Sequence, residues 1–289
     1  MHLGILYACI AMIGWGLGDF FIQKATRIIG IYKALFFICI SSTVILFPFI
    51  GDEISVRTFE DYQSLALLSG IIFVYALFLF QALKRGKISV VESVVALELP
   101  ITVGLGVFVN GESLSVHQFI IFFAIFAGVI LATTPRLDNL RYHRHIFEKG
   151  VLLAFVSAFL SALTNFYIGT YSQSMSPLFV IWATHGMLAA LCGVYIIVRG
   201  EVRSLMQDIR AHPYIILAQT FFDNMAWISY AYATSIISIS ITVMISESYI
   251  VLAALLGYFV GREKLSRHQV LGACIAFTGL FALLATLDS

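Results

Sequence analysis

The sequence predicts an all-α polytopic membrane protein with ten transmembrane helices, arranged as two inverted five-helix repeats. Three observations carry this reading. The 289-residue chain is 60% hydrophobic and only 11% charged, where a soluble domain carries about 25% charged residues; its mean hydropathy is +0.96. The apolar residues gather into ten runs near the roughly 20 residues that cross a bilayer core of about 30 Å. The few basic residues sort onto one side of those runs. This composition excludes a cytosolic globular domain, a disordered chain and a nucleic-acid binder with a basic face.

In chain order the predicted spans cover 3–22, 31–50, 64–83, 88–109 and 116–134, then 150–169, 178–198, 214–234, 238–260 and 269–286. The first run has no basic segment before it and no small-residue cleavage site before Trp15, so it reads as a retained span rather than a signal peptide. Ten-residue segments alternating polar and apolar are absent, which argues against a transmembrane barrel. Connections are short, such as Gly86-Lys87 between spans three and four and Ser235-Ile236-Ile237 between eight and nine. The longest polar stretch marks the domain division: a first repeat at 1–135, a cytoplasmic loop at 136–149 and a second repeat at 150–289. Cys9, Cys39, Cys192 and Cys274 all sit in apolar runs without a CxxC pair, as small packing residues do. No motif points to a cofactor or a metal.

The loops after spans one, three, five, seven and nine hold 16 of the 17 Lys and Arg residues. The opposite side holds only Arg57, beside Asp52, Glu53, Glu60 and Asp61. Short loops with this bias obey the positive-inside rule, which places the chain in the cell membrane with both termini non-cytoplasmic. One helix more or fewer would scatter the basic residues over both faces.

The chain also resembles itself. Gly4 to Phe20 aligns with Gly150 to Phe166, matching Asp19 with Asn165, and Gly111-Glu112-Ser113-Leu114-Ser115-Val116-His117-Gln118 aligns with Arg262-Glu263-Lys264-Leu265-Ser266-Arg267-His268-Gln269. Five helices per repeat is an odd number, so the second copy enters the membrane from the opposite face. Inverted repeats of this kind build alternating-access carriers with a midplane site between the halves.

Several of these residues carry a family resemblance. Trp15-Gly16, Ala82-Leu83-Lys84, Glu98-Leu99-Pro100, Gly111-Glu112-Ser113-Leu114-Ser115 and Gly128 to Leu131 recur in order, with Gly257-Tyr258, Gly261 to Ser266 and Gly272 to Gly279 in the second copy. The chain resembles the drug/metabolite transporter superfamily, EamA type, over essentially its whole length. Two departures stand out: Leu99 separates a Glu and a Pro that are usually adjacent, and Tyr249 stands where the second copy's Glu would fall. The resemblance implies ten helices in two repeats and the movement of metabolites or amino acids, with export as the direction.

Of the 16 acidic residues, eleven lie in loops or tails and five, Asp19, Glu92, Glu98, Asp223 and Glu247, lie within predicted spans. A charge at helix centre costs about 2.5–3.5 kcal/mol on insertion scales, so such residues mark function. Glu98, Asp223 and Glu247 reach the middle of the bilayer, with Asp19 nearer the cytoplasmic third. No Lys or Arg lies deep enough to pair with them, so they are expected to bind a substrate amine or a coupling proton. Glu92 is expected to reach the interface beside Lys87. Gln219, Asp223, Trp227 and Tyr230 follow one stripe of span eight, Trp15 and Asp19 share a face of span one, and Thr242, Ser246 and Tyr249 stripe span nine. With Asn165, the lining expected is Trp15, Gln219, Trp227, Tyr230 and Tyr249, on spans one, three, four, six, eight and nine. Aromatics beside acids suit an amine or organic cation.

Other polar positions point elsewhere. His185, inside span seven, fits a packing role better than a proton relay, and His143 and His145 have no metal ligands near them. Glu112 and Glu263 are expected to shape the turn into the last helix of each repeat. Pro100 should break the hydrogen-bond ladder of span four beside Glu98. The reading is therefore a secondary carrier for a small amine-bearing, amino-acid-like or cationic metabolite, working against a lipid bilayer and without enzymatic activity. A passive channel is the alternative. A second is an intramembrane aspartyl protease, since Gly16-Leu17-Gly18-Asp19 spells GxGD and Asp223 could supply a second acid; but the partner follows the motif instead of preceding it, and the second copy has Asn165 in place of Asp19.

Overall fold

The computed structural model describes residues 1–86, 88–134, 149–252 and 266–287. These are helical throughout, in the order α1 (His2–Ile28), α2 (Ile31–Leu46), α3 (Gly51–Val56), α4 (Phe59–Arg85), α5 (Ile88–Val95), α6 (Glu98–Phe108) and α7 (Val116–Thr133) for the first repeat. The second repeat has α8 (Lys149–Ser174), α9 (Pro177–Val198), α10 (Val202–Ala211), α11 (Pro213–Ile236), α12 (Ile239–Ser246) and α13 (Arg267–Leu287). Eight helices among the described residues are long and apolar enough to cross a membrane. Predicted span eight falls on α11, which is long enough but buries Gln219, Asp223 and Asn224. Predicted span nine begins in the apolar helix Ile239–Leu252, and the rest of it lies outside the described residues, as do His143, His145, Lys87 and Glu263.

The repeated Ser-x-His-Gln string is a helix start used twice. Ser115 Oγ accepts from Gln118 N–H at 3.2 Å while Gln118 Oε1 accepts from Ser115 N–H at 2.9 Å. Gln269 Oε1 likewise accepts from Ser266 N–H at 2.9 Å. A capping box of this form satisfies orphan amides at the first turn; it is complete at the start of α7, and its glutamine half recurs at the start of α13. Thr58 and Asp61 do the same for α4. At the other end of α4, Arg27 Nη2 donates to the Gly86 carbonyl at 2.9 Å and Gln23 Nε2 to the Leu83 carbonyl at 3.2 Å, so α1 and α4 are tied at that face.

The halves interlock. α1 packs on α11, α4 on α8, α2 on α9 and α7 on α13, each pair joining one repeat to the other. Exchanging the repeats turns the α1–α11 pair into the α8–α4 pair, as a two-fold relation requires. Small residues allow the closest approaches: a Cβ on Gly128 would lie 2.5 Å from Ala276 N, and one on Gly272 would lie 2.4 Å from Ala132 N. Spaced four apart, Gly128/Ala132 and Gly272/Ala276 bring the α7 and α13 backbones together, since packing rather than the hydrophobic effect drives helix association in lipid. Gly14 plays the same part between α1 and α11, facing Ala226 and the Phe222 carbonyl.

Candidate functional site

Two helices break in mid-membrane at matching places. Between α5 and α6, Ala96 N–H donates to the Glu92 carbonyl at 2.9 Å, Leu97 to Val94 at 3.2 Å and Leu99 to Ala96 at 3.3 Å. After α12, Glu247 N–H donates to Val243 at 2.9 Å, Ser248 to Ile245 at 3.2 Å and Ile250 to Glu247 at 3.3 Å. The second set repeats the first at the offset that aligns Glu112 with Glu263. Tightened turns inside a helix are often functional. Pro100 follows the first break, as the sequence suggested, but Val251 holds its place after the second. The shared turn therefore belongs to the repeat fold and not to proline alone.

These breaks deliver acids to the interior. Glu98 opens α6 and Glu247 sits in the second turn, 2% and 1% exposed, with Asp19 at 4% and Asp223 at 8%. Glu98, Glu247 and Ser161 line one cavity, and the helices α6 and α12 that lead to the two acids pack together. Asn165 Nδ2 donates to Glu247 Oε1 at 3.4 Å. Gly18 faces the Asp223 backbone, where a Cβ would lie 3.6 Å from its nitrogen, so span one carries Asp19 alongside Asp223. Among the described residues no Lys or Arg is buried. The acids thus stand in a low-dielectric interior without a fixed positive partner.

A cavity of about 40 Å³ lies between them, lined by Asp19, Glu98, Asp223 and Glu247 with Trp15, Asn165, Trp227 and Tyr249. By volume this is room for a few waters. The aromatic wall is contiguous: the Trp15 ring centroid is 5.0 Å from that of Trp227, 5.3 Å from Tyr230 and 5.9 Å from Tyr249.

Two residues expected to line the cavity, Gln219 and Tyr230, are not among those that do. Gln219 is buried but donates to the Ala34 carbonyl at 3.2 Å, joining α11 to α2. Tyr230 lies behind Trp15 and donates to the Asn165 carbonyl at 3.0 Å. Glu92 does not reach the interface. It is 1% exposed, because its half-helix α5 packs against α7 and α8, and Tyr249 Oη donates to its Oε2 at 3.1 Å. Glu112 also departs from expectation. Ser115 and Gln118 already cap α7, and Glu112 instead crosses to the other repeat, accepting from Ile239 N–H at 2.7 Å and Ser240 N–H at 2.9 Å. It holds the N-terminus of α12, the helix that carries Glu247.

Spans two and seven contribute walls that sequence reasoning left out, through Ile38, Cys39, His185 and Leu188. His185 Nδ1 meets Ser42 Oγ at 2.7 Å, so the packing role and a place at the cavity coexist. Tyr75 and Ser161 line the cavity as well. Ser161 had a signal: it is the repeat mate of Trp15 in the alignment that pairs Asp19 with Asn165. Tyr75 and Cys39 had none, being single residues each set in a locally apolar stretch of its helix.

The family model for EamA-like transporters matches this chain twice, over residues 2–134 and 148–285. A crystal structure with 16% identity matches with a TM-score of 0.72, covering 99% of this chain and 99% of that one; at that identity the likeness speaks for the fold. A comparison with curated proteins finds no match.

Proposed function

Because the chain belongs to the EamA-like transporter family, and is thus a multi-pass membrane transporter of small solutes and not an enzyme, we propose that its cargo is a small amine-bearing, amino-acid-like or cationic metabolite. The observation that carries this is the cavity itself. Asp19, Glu98, Asp223 and Glu247 converge there with no buried Lys or Arg among the described residues. An ammonium group would supply the missing positive charge, and Trp15, Trp227 and Tyr249 would hold it through their ring faces, at about 0.5–2 kcal/mol per cation–π contact.

On this reading transport is secondary and proceeds by alternating access, one half rocking on the other, in export or exchange. Two features support it. The cavity is smaller than a metabolite, so binding requires it to widen, and the contacts that close it join the two repeats. Glu112 to α12 is one such contact; Asn110 Nδ2 to Gln173 Oε1, at 3.5 Å, is another. The loop charges favour a cell membrane with both termini on the non-cytoplasmic face. Uptake by proteoliposomes of a metabolite panel, with and without a pH gradient, tests the proposal. Saturable flux of amine-bearing solutes is expected, and flux confined to anionic or neutral solutes would overturn it.

A further inference from the structure

Among the five buried acids, two stand at the matching helix breaks, one from each repeat. Glu98 and Glu247 line one cavity from the packed helices α6 and α12, and Oε2 of each is buried with no donor among the described residues. Two carboxylates are acceptors only, and two that share one small low-dielectric cavity do not both ionise without a positive partner. A proton on either one turns that carboxyl into a donor. A metal ion fits less well, since among the described residues no three His, Cys, Asp or Glu side chains converge in a way that could hold one. An ammonium group is too large for oxygens shut off from a water-sized probe.

We propose that Glu98 and Glu247 form a site for one coupling proton, within the same cavity as Asp19 and Asp223, which hold the substrate amine. The site is built from the two matching helix breaks, one per repeat, so a relative movement of the halves pulls its two carboxyls apart. Paired, they hold the proton. Parted, they release it to whichever side the cavity faces, and the proton returns from the other side to close the cycle. The groups facing the pair are Glu92 on its own span, Asp19 from α1, Tyr75 from α4, Ser161 and Asn165 from α8, His185 from α9, Asp223 and Tyr230 from α11, and Tyr249 beyond the second turn. Asn165 donates to Glu247 Oε1 and leaves Oε2 for the proton. The coupling role rests on the transport reading above; the shared proton itself does not.

Infrared absorption of the purified full chain in lipid, at neutral pH, counts protonated carboxyls by their C=O stretch and its shift in heavy water. Difference spectra against the wild type are expected to show Glu98→Gln losing one protonated carboxyl, because the new amide donates to the Glu247 carboxylate. Glu247→Gln should likewise lose one, and the double variant no more than one. Asp223→Asn serves as a variant outside the pair and should retain the band. A double variant that loses two, or single variants that lose none, overturns the shared proton. Proton flux into the same vesicles, read by a trapped pH dye, should fall at least tenfold in Glu98→Gln and in Glu247→Gln. A protein that moves no amine but shows the infrared result keeps the proton site and refutes only the amine.

Discussion

Glu112 of the first repeat accepts hydrogen bonds from the Ile239 and Ser240 amides of the second, at 2.7 and 2.9 Å. One loop carboxylate thereby caps the helix that ends at Glu247. Its two oxygens serve two different amides, and the negative charge sits at the positive end of the helix dipole. The contact ties the two halves at the face where spans four, five, eight and nine meet.

Glu112→Ala should therefore be costly. Charge-assisted hydrogen bonds are worth about 1.5–3 kcal/mol each when a buried partner is orphaned. A fall of several degrees in the melting temperature in detergent is expected. Glu112→Gln keeps a single acceptor oxygen and should lie between the two. Equal melting temperatures for all three would show that the contact carries no stability.

The α7–α13 contact offers a second test, on packing alone. Gly272→Ala would place a methyl 2.4 Å from Ala132 N, against backbone that cannot move aside. Overpacking of this kind costs about 1–3 kcal/mol. Gly70, inside α4, has nothing within 4 Å of the same position. There Gly→Ala should leave the melting temperature unchanged or raise it, because alanine restricts the unfolded chain and favours helix by up to about 1 kcal/mol. Thermal unfolding of the two variants side by side separates close approach from a general intolerance of alanine.

Tyr249→Phe removes the hydroxyl that donates to Glu92 Oε2 and keeps the ring beside Trp15. If the hydroxyl organises the acids, flux of an amine should drop roughly tenfold, the equivalent of about 1.4 kcal/mol, with little change in melting temperature. Tyr249→Ala should lose more, since the aromatic wall goes too. Initial-rate flux assays on both variants check this. Identical flux in wild type and Tyr249→Phe would assign the hydroxyl a packing role only.

How much of this was legible in the sequence depends on the kind of signal. The spans were, because crossing a bilayer demands long apolar runs, and α1, α4 and α8 run beyond their predicted ends only where polar residues extend a helix into the interface. The repeat was legible too, and the Ser-x-His-Gln string proves to start a helix in each copy, with a full capping box at α7. The deep acids were visible by their cost in lipid. Contacts across the halves were not. Glu112 and Gln219 both find partners in the other repeat, and a local reading of sequence can only assign them to their own. Glu92 was misplaced for a related reason: one turn from a span end means interface for a straight helix, but α5 is a half-helix buried by α7 and α8. The break after α12 was hidden because no proline marks it.

The central claim is that buried carboxylates hold the amine of the cargo. Initial rates of uptake into proteoliposomes, for a panel of amine-bearing solutes and their uncharged analogues, test it most directly when wild type, Asp223→Asn and Glu98→Gln are compared. The account predicts that wild type moves at least one amine in preference to its uncharged analogue. Asp223→Asn should lose that flux by tenfold or more, and Glu98→Gln should lose its response to a pH gradient. Amine flux unchanged in both variants would contradict it.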